Sequence, residues 1–549
     1  MVKKNVFHQL MGQCACTRCR YAAAHPFYLL TSTLGGLYTQ RKVRKRFAKA
    51  ISKDNSTMTT PFPSPPTFPV DPGDMPVLKR WLEIQADQKN LRSVDIDEIL
   101  IGPDVLLQLP DVLRHAGITS GMQTLLVMDE TPMRREEKDL KAFVQVLLHN
   151  AGYQAETLWL QGDQYGLVHA DFEQVQRVHD AIKARTALIA LGSGTLTDIV
   201  KHAAYLYDQE HSEQENVVYI CCQTANSVTA FAANMAVLLK DGVKRTIPSR
   251  YPTAIISDLR VLASAPKAMT LAGLGDCCAR FVAYGDWYLA SALELVDFYS
   301  EVPLALLANL DAILLEHAAG IGQRSLEGEA VVARALLLAG IAQSIVNMST
   351  PISGTEHVTS HVLDMIANHY QRNLALHGAQ VGVATITASQ LYQRFLDGFD
   401  PQSIDIIACY PDDAALQAHI QQLFVGIDPR GAMAQECWND YSKKLALWRR
   451  NRPSFEQFCA AWYAVHRPKL ASLTCSPDIV HSILARAGAP LIPRDLEPSI
   501  SQEEYDFAVR NGHFIRARFV LGDLLYYLGW STSAYDSDLT ADAFKYENT

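Results

Sequence analysis

Three histidines and one aspartate are spaced for metal chemistry. His357 and His361 stand four residues apart, so on a helix they share one face. His377 follows sixteen residues later, in Leu376-His377-Gly378. Upstream, Asp276 sits in the apolar stretch Gly273-Leu-Gly275-Asp276-Cys-Cys. A buried carboxylate is costly unless it is paired or metal-bound. Two imidazoles and one carboxylate with an open fourth position make a catalytic divalent-metal site. The same residues also fit a satisfied core aspartate with solvated histidines, and spacing alone leaves both readings open.

The second feature is Gly192-Ser193-Gly194-Thr195-Leu196-Thr197-Asp198, between an apolar strand and a helix. Glycines there let the backbone approach a pyrophosphate, and the helix N-terminus offers free N–H groups and positive dipole character. The third glycine of the usual dinucleotide fingerprint is missing, so a plain strand-to-helix turn competes with this reading. Asp129 ends an earlier strand. A carboxylate there can accept from an adenosine ribose hydroxyl, or it can be a turn residue.

The elements that must position these residues fall into two sets. Thr124–Glu130, Ala155–Leu160, Ala187–Leu191 and Val217–Cys222 read as buried strands. Helices over Glu136–Ala151 and Asp171–Ala184, and one from Gly194 to about Tyr207, alternate with them. That alternation predicts a parallel sheet covered on both faces. After about residue 262 long helical stretches dominate, among them Ala265–Ser291, Gly328–Met348, His357–His369 and Gly378–Phe395. The expected architecture is an α/β Rossmann-like nucleotide-binding domain over 95–262, followed by an all-α domain over 263–549. Residues 1–94 are expected to be a disordered basic extension and Pro-rich linker.

Composition bounds the function. The chain has 549 residues, 48% of them hydrophobic, enough for several domains with sizeable cores. Its net charge of −9 argues against a general nucleic-acid binder. Residues 1–53 nevertheless carry 11 Lys/Arg and no Asp/Glu. Three readings of that arm compete: a transit peptide, a basic surface arm, or an upstream extension with Met58 as the true start. Tyr21–Tyr38 is marginal as a membrane span. Eleven scattered cysteines suit thiols in a reducing, cytoplasmic compartment rather than a disulfide framework. Cys14, Cys16 and Cys19 lack a second ligand cluster nearby.

Together these segments resemble the glycerol-1-phosphate dehydrogenase family, in the wider group of dehydroquinate synthases, glycerol dehydrogenases and iron-dependent alcohol dehydrogenases. The likeness runs from about 95 to 530. It rests on the order and spacing of Leu191–Lys201, Asp241–Asp258, Gly275-Asp276 with Asp286-Trp287, Ser353–His361 and His377–Gly382. The resemblance implies a dehydroquinate synthase-like fold and a metal-dependent, NAD(P)-linked interconversion of dihydroxyacetone phosphate and sn-glycerol 1-phosphate. It implies that Asp276, His357 and His377 hold the metal, usually zinc, with nickel or iron as other choices. It assigns His361 to substrate contact and catalysis. It assigns Gly192, Ser193, Gly194, Thr195 and Leu196 to the pyrophosphate, Thr224 and Ser227 to the nicotinamide cofactor, and Asp129 to the adenosine ribose.

Four positions depart from the family pattern. Thr229 and Ala230 stand where the family has Asp-Gly, Ala233 where it has a serine, and Arg280 where it has a lysine. The expected substrate contacts are then Asp276, His361, Thr229 and Lys244, with Arg245 and Arg250 as further cations for a phosphate. Other expectations are a small phosphorylated ketone or polyol as partner, a homo-oligomer, no nucleic acid and no membrane span. A sibling enzyme on another polyol, a cyclase using NAD catalytically, a non-catalytic descendant, and a membrane-surface protein tethered by the basic N-terminal arm remain the alternatives.

Overall fold

The computed structural model describes residues 66–530, apart from 86–87, 164–165, 185, 213–216 and 241–242. The basic arm with Cys14, Cys16 and Cys19, and Met58, lie outside the described residues. Within the stretch expected as linker, Met75–Glu83 forms a helix. Asp74 caps it, accepting from the Val77 N–H at 3.1 Å, and Leu78 is fully buried.

Among the described residues, eight strands of five or more residues follow: β1 (Glu98–Gly102), β2 (Thr124–Asp129), β3 (Ala155–Leu160), β4 (Ala187–Gly192), β5 (Val218–Gln223), β6 (Met235–Lys240), β7 (Val243–Pro248) and β8 (Ala254–Asp258). Six form one parallel sheet in the order β1-β8-β5-β4-β2-β3, and β6–β7 is a separate antiparallel hairpin. Every residue of β4 is buried, as are all of β2 except Asp129. Continuous apolar runs are what a sheet covered on both faces requires. From β2 the chain steps outward to β3, then returns to β4 on the other side of β2. The crevice at the carboxyl ends of β2 and β4 is therefore the topological switch point, where ligands of such sheets bind.

Helices α1 (Leu140–Asn150), α2 (Phe172–Ala181) and α3 (Gly194–Glu210) belong to the sheet region. The helix expected from Glu136 starts later. Arg134–Arg135 pairs with Lys138–Asp139 in a short antiparallel turn, and Asp139 then caps α1 through the Ala142 N–H at 2.8 Å. Beyond β8 the described chain is helical: α4 (Lys267–Cys278), α5 (Arg280–Ala292), α6 (Leu310–Gly322), α7 (Leu326–Val346), α8 (Thr355–His369), α9 (His377–Gly398) and α10 (Ala432–Arg450), with further helices between and after them. The single helix expected over Ala265–Ser291 is broken at Ala279, whose N–H bonds back to Asp276 O at 3.3 Å. Two stretches, Val302–Gly322 and Leu326–Val346, are long and apolar enough to cross a membrane. The second is α7, and 83% of its apolar window is buried inside the protein.

Two local devices set the site. Helices α4 and α9 touch backbone to backbone. A Cβ on Gly275 would lie 2.1 Å from Gly378 O, and one on Gly378 would lie 2.0 Å from Ala272 O. Only glycine allows that approach, and it sets Asp276 beside His377. The second device is Lys201 on α3, which is fully buried. Its ammonium pairs with Asp198 at 3.0 Å and donates to Ala230 O at 2.6 Å and Met235 O at 2.9 Å. Asp198 also accepts from the Val237 N–H at 3.1 Å. The segment entering β6 is thereby tied to α3.

Breaking a buried pair by removing one partner costs about 3–5 kcal/mol. Lys201→Met is expected to lower unfolding stability by that order in denaturant titration. The exposed Lys443, paired with Asp440, is the control, and Lys443→Ala should change stability by less than about 1 kcal/mol. The neighbouring His202 is buried, and among the described residues its Nδ1 has no hydrogen-bond partner. Burial, and then the Lys201 cation, hold its pKa down to about 4. A depressed folded pKa means stability that is present above the unfolded value of about 6.5 and is lost as pH falls toward 4. Between pH 7 and pH 5 this one group should cost about 2 kcal/mol, and His202→Phe should flatten that limb of the stability profile.

Candidate active site

Asp276 on α4, His357 on α8 and His377 at the start of α9 converge. One ligand atom from each lies within 4.8 Å of the others. Asp276 is buried. Its Oδ2 accepts from the Thr229 N–H at 3.1 Å, and its Oδ1 faces His357 Nε2 at 3.5 Å. Among the described residues, Asp276 Oδ1 has no hydrogen-bond partner.

The outer nitrogens of both imidazoles are committed. His357 Nδ1 is 2.8 Å from Glu356 Oε1, and a carboxylate can only accept, so Nδ1 carries the proton. Glu356 is fully buried and also accepts from the Gly354 N–H at 2.6 Å. His377 Nδ1 is 2.9 Å from Ser360 Oγ, which is 2.8 Å from Gln380 Oε1. A hydroxyl has one proton. If Ser360 donates to Gln380, it accepts from His377. Gln380 Nε2 in turn donates to Asp364 at 3.1 Å and to Ala375 O at 3.2 Å, which fixes the amide's orientation. With both Nδ1 atoms engaged, each ring has its Nε2 left for the centre of the trio, where a metal ion would take the place of a proton. Supporting bonds of this kind orient metal-bound histidines.

Electrostatics agree with a cation at that centre. Burial pushes Asp276 up, but His357, His377 and the Thr229 N–H outweigh it and hold the carboxyl below its usual range. Burial pushes His357 down, but Asp276 and Glu356 outweigh it and raise His357 to about 9. Two buried carboxylates here require positive charge. The donor set, two neutral imidazoles and a carboxylate, suits a divalent metal ion. Behind the trio, Asp286 anchors the start of α8. It is fully buried and accepts from the Thr355 N–H at 2.6 Å, the Tyr392 hydroxyl at 2.6 Å and the Leu521 N–H at 2.7 Å.

His361 lies one helical turn beyond His357. Its ring centroid is 6.2 Å from that of His357 and 5.6 Å from that of His377. It lines a cavity of about 380 Å³ together with Arg245, Arg516, Asp364 and Met365. Arg245 is ion-paired with Glu436 and lies 3.6 Å from Asp440, both on α10. Burial, and then Arg245, lower the pKa of Arg516. Lys244 falls in β7, and its side chain lies outside the described residues. Arg250 is turned to another task, pairing with Asp208 and donating to Val217 O.

The cofactor candidates sit at the sheet's carboxyl edge. Gly192 ends β4, and Ser193 to Leu196 open α3. A Cβ on Gly194 would lie 2.4 Å from Val228 Cγ2, so the loop is held close to the segment after β5. That segment begins with Thr224, whose N–H bonds Gly192 O at 3.1 Å. Thr224 and Ser227 are both buried. Five residues after Thr224 comes Thr229, whose N–H holds Asp276. Its hydroxyl accepts from Gln343 Nε2 on α7 at 3.1 Å. Asp129 ends β2 level with Gly192, because Val127 pairs with Ala190.

Several of these residues escaped the sequence reading. Glu356 had a signal, a carboxylate adjacent to a candidate ligand. Ser360, Gln380, Gln343 and Arg516 had none, because their partners are distant in sequence.

Comparison with known proteins follows the same lines. A family model described as iron-containing alcohol dehydrogenase matches residues 100–266. A glycerol-1-phosphate dehydrogenase [NAD(P)+] of Bacillus subtilis is 30% identical over 59% of this chain and 79% of its own length. One from Methanosarcina acetivorans is 30% identical over 57% of this chain and 78% of its own. Among solved structures, an iron-containing alcohol dehydrogenase from Thermococcus thioreducens superposes with a TM-score of 0.50 at 12% identity. It covers 81% of this chain and 99% of that one, and it shares the fold.

Glu356→Gln is expected to keep the fold and lower Zn²⁺ affinity by about tenfold or more, read by competition with a chelating dye. An unchanged affinity would detach Glu356 from the support of His357.

Proposed function

The chain belongs to the glycerol-1-phosphate dehydrogenase family, within the iron-containing alcohol dehydrogenases, and from that premise we propose that it interconverts dihydroxyacetone phosphate and sn-glycerol 1-phosphate using NAD(H) or NADP(H). The observation that carries this reading is the short covalent bridge between the two halves of the chemistry. Thr224 bonds the glycine loop at the sheet edge, and Thr229, five residues on, bonds Asp276 in the trio. A cofactor lying on the first would bring its reactive end toward the second.

When bound, a divalent ion held by Asp276, His357 and His377 supplies Lewis acidity to the substrate oxygen, and the nicotinamide supplies or accepts hydride. Two imidazoles and one carboxylate favour zinc, with nickel or iron(II) as other occupants. The chain's own residues do the rest. Glu356 and Ser360 fix the ligand tautomers. His361, bordering both trio and cavity, is placed to give a proton to the oxygen that becomes the alcohol and to take it back in the reverse direction. Arg245 and Arg516 line the same cavity and provide cationic partners for a phosphate. Thr229 accepts from Gln343, which leaves its own hydroxyl proton free to donate to a substrate oxygen.

The test is NAD(P)H oxidation with dihydroxyacetone phosphate and with unphosphorylated dihydroxyacetone. A hydrogen bond to a charged group contributes about 1.5–3 kcal/mol. Arg516→Met should therefore lower kcat/KM for the phosphorylated ketone by about 10–100-fold, mostly through KM, and leave the slow reaction of dihydroxyacetone within about twofold. An equal loss on both ketones would remove Arg516 from phosphate binding. No turnover of any ketone phosphate by metal-loaded protein would overturn the proposed reaction.

A further inference from the structure

At the carboxyl end of β2, Asp129 does not stand alone. Lys141, in the first turn of α1, reaches back over the same strand end. Its ammonium lies 3.6 Å from Asp129 Oδ1 and donates to the carbonyls of Asp129 and Thr131, the latter at 2.6 Å. It also lies 5.1 Å over the ring of Trp159 on β3. The Lys141 side chain is 8% exposed and that of Asp129 15%. Asp129 Oδ1 accepts from the Thr131 N–H at 3.0 Å, so the whole turn 129–131 is organised around this pair. Of the two arginines that the sequence places nearby, only Arg135 is held in the interior, and Arg134 is exposed. Arg135 is buried against Asp104 and Asp258, and Arg134 faces Glu137 at 3.6 Å.

We propose that Lys141 sets the cofactor range of this enzyme: by neutralising Asp129 at the strand end, it admits a dinucleotide carrying a ribose 2′-phosphate as well as one carrying a 2′-hydroxyl. This rests on the reading above that a nicotinamide dinucleotide lies across the ends of β2 and β4. A lone carboxylate there accepts from a 2′-hydroxyl and repels a 2′-phosphate. With Lys141 beside it, the charge of Asp129 itself is balanced, and the neighbouring Glu130 is exposed to solvent. An ammonium has three N–H donors. Two hold the backbone carbonyls. The third faces a carboxylate at 3.6 Å, longer than a hydrogen bond, and can turn to an incoming phosphate without releasing the turn. Charge-assisted bonds to phosphate are among the stronger ones. Asp129 still serves the hydroxylated ribose, so one site accommodates both ligands.

Calorimetric binding of NADH and of NADPH to the full chain tests this without turnover. Wild-type protein should bind the two within about tenfold of each other. Lys141→Met should weaken NADPH by about tenfold or more beyond any loss it causes for NADH, while Lys141→Arg, which keeps the charge, should retain NADPH. Asp129→Asn should tighten NADPH and weaken NADH. Thermal melts of each variant accompany the titrations. If Lys141→Met weakens both ligands equally and lowers Tm, Lys141 only anchors the turn and the proposal is overturned. It is also overturned if wild type rejects NADPH by more than about 100-fold, since Asp129 then acts unneutralised. If wild type binds neither nucleotide, the dinucleotide reading itself falls, and this inference with it.

Discussion

Two buried carboxylates, Asp276 and Glu356, converge on one imidazole, His357, and a second imidazole stands against the same centre. That concentration of charge inside a helical core is the constraint on which the rest depends. Carboxylates taken out of water must find cations or donors. Here the surrounding elements supply them. Helix α8 brings His357, α9 brings His377, the loop before α8 gives the Gly354 N–H, and the segment from the sheet gives the Thr229 N–H. The backbone contact of Gly275 with Gly378 is the geometric counterpart, since it brings Asp276 and His377 to the same level.

The sheet region answers to the same centre. Lys201 holds the segment 229–235 against α3, and that segment carries the N–H that fixes Asp276. The glycine loop, the Thr224–Thr229 segment and the trio form one continuous path from the switch point of the sheet to the helical core. Asp286 completes the support from the other side. It joins α5, α8, α9 and the turn at Leu521 through one carboxylate. That explains why an aspartate in an otherwise apolar stretch of α5 can be fully buried.

Much of this was legible in the residues. Strands β2, β4 and β5 are legible to within a residue because a strand buried on both faces leaves an unbroken apolar run, whereas the edge strand β3, with Glu156 and Trp159 exposed, is legible from its Thr-Leu-Trp-Leu run. The cluster of Asp276, His357 and His377 and the glycine loop are marked by residue type and order. The hairpin β6–β7 was missed, because its partner-facing pattern mixes Lys244, Arg245 and Thr246 with apolar residues. The start of α1 was misplaced because the short turn at Arg134–Asp139 competes with the helix until Asp139 caps it. The supporting bonds were out of reach for a different reason. Ser360 with His377, Thr229 with Asp276, and Asn226 with Glu329 at 2.7 Å join residues that only the folded chain brings together. Lys141 shows the limit most clearly. In the sequence it is one more lysine on an amphipathic helix, while Arg134 and Arg135 look like the cations beside Asp129. Folding commits Arg135 to Asp104 and Asp258, leaves Arg134 exposed, and sets Lys141 against Asp129.

The central claim is that the Asp276–His357–His377 cluster exists to hold a divalent cation. Metal content measured by mass spectrometry, after stripping the full chain with chelator and dialysing it against Zn²⁺, tests that claim most directly. Wild-type protein should recover about one equivalent per chain and His377→Ala close to none, with both remaining folded. A folded wild-type protein that takes up no zinc, nickel or iron, or a His377→Ala variant that takes up a full equivalent, would contradict it.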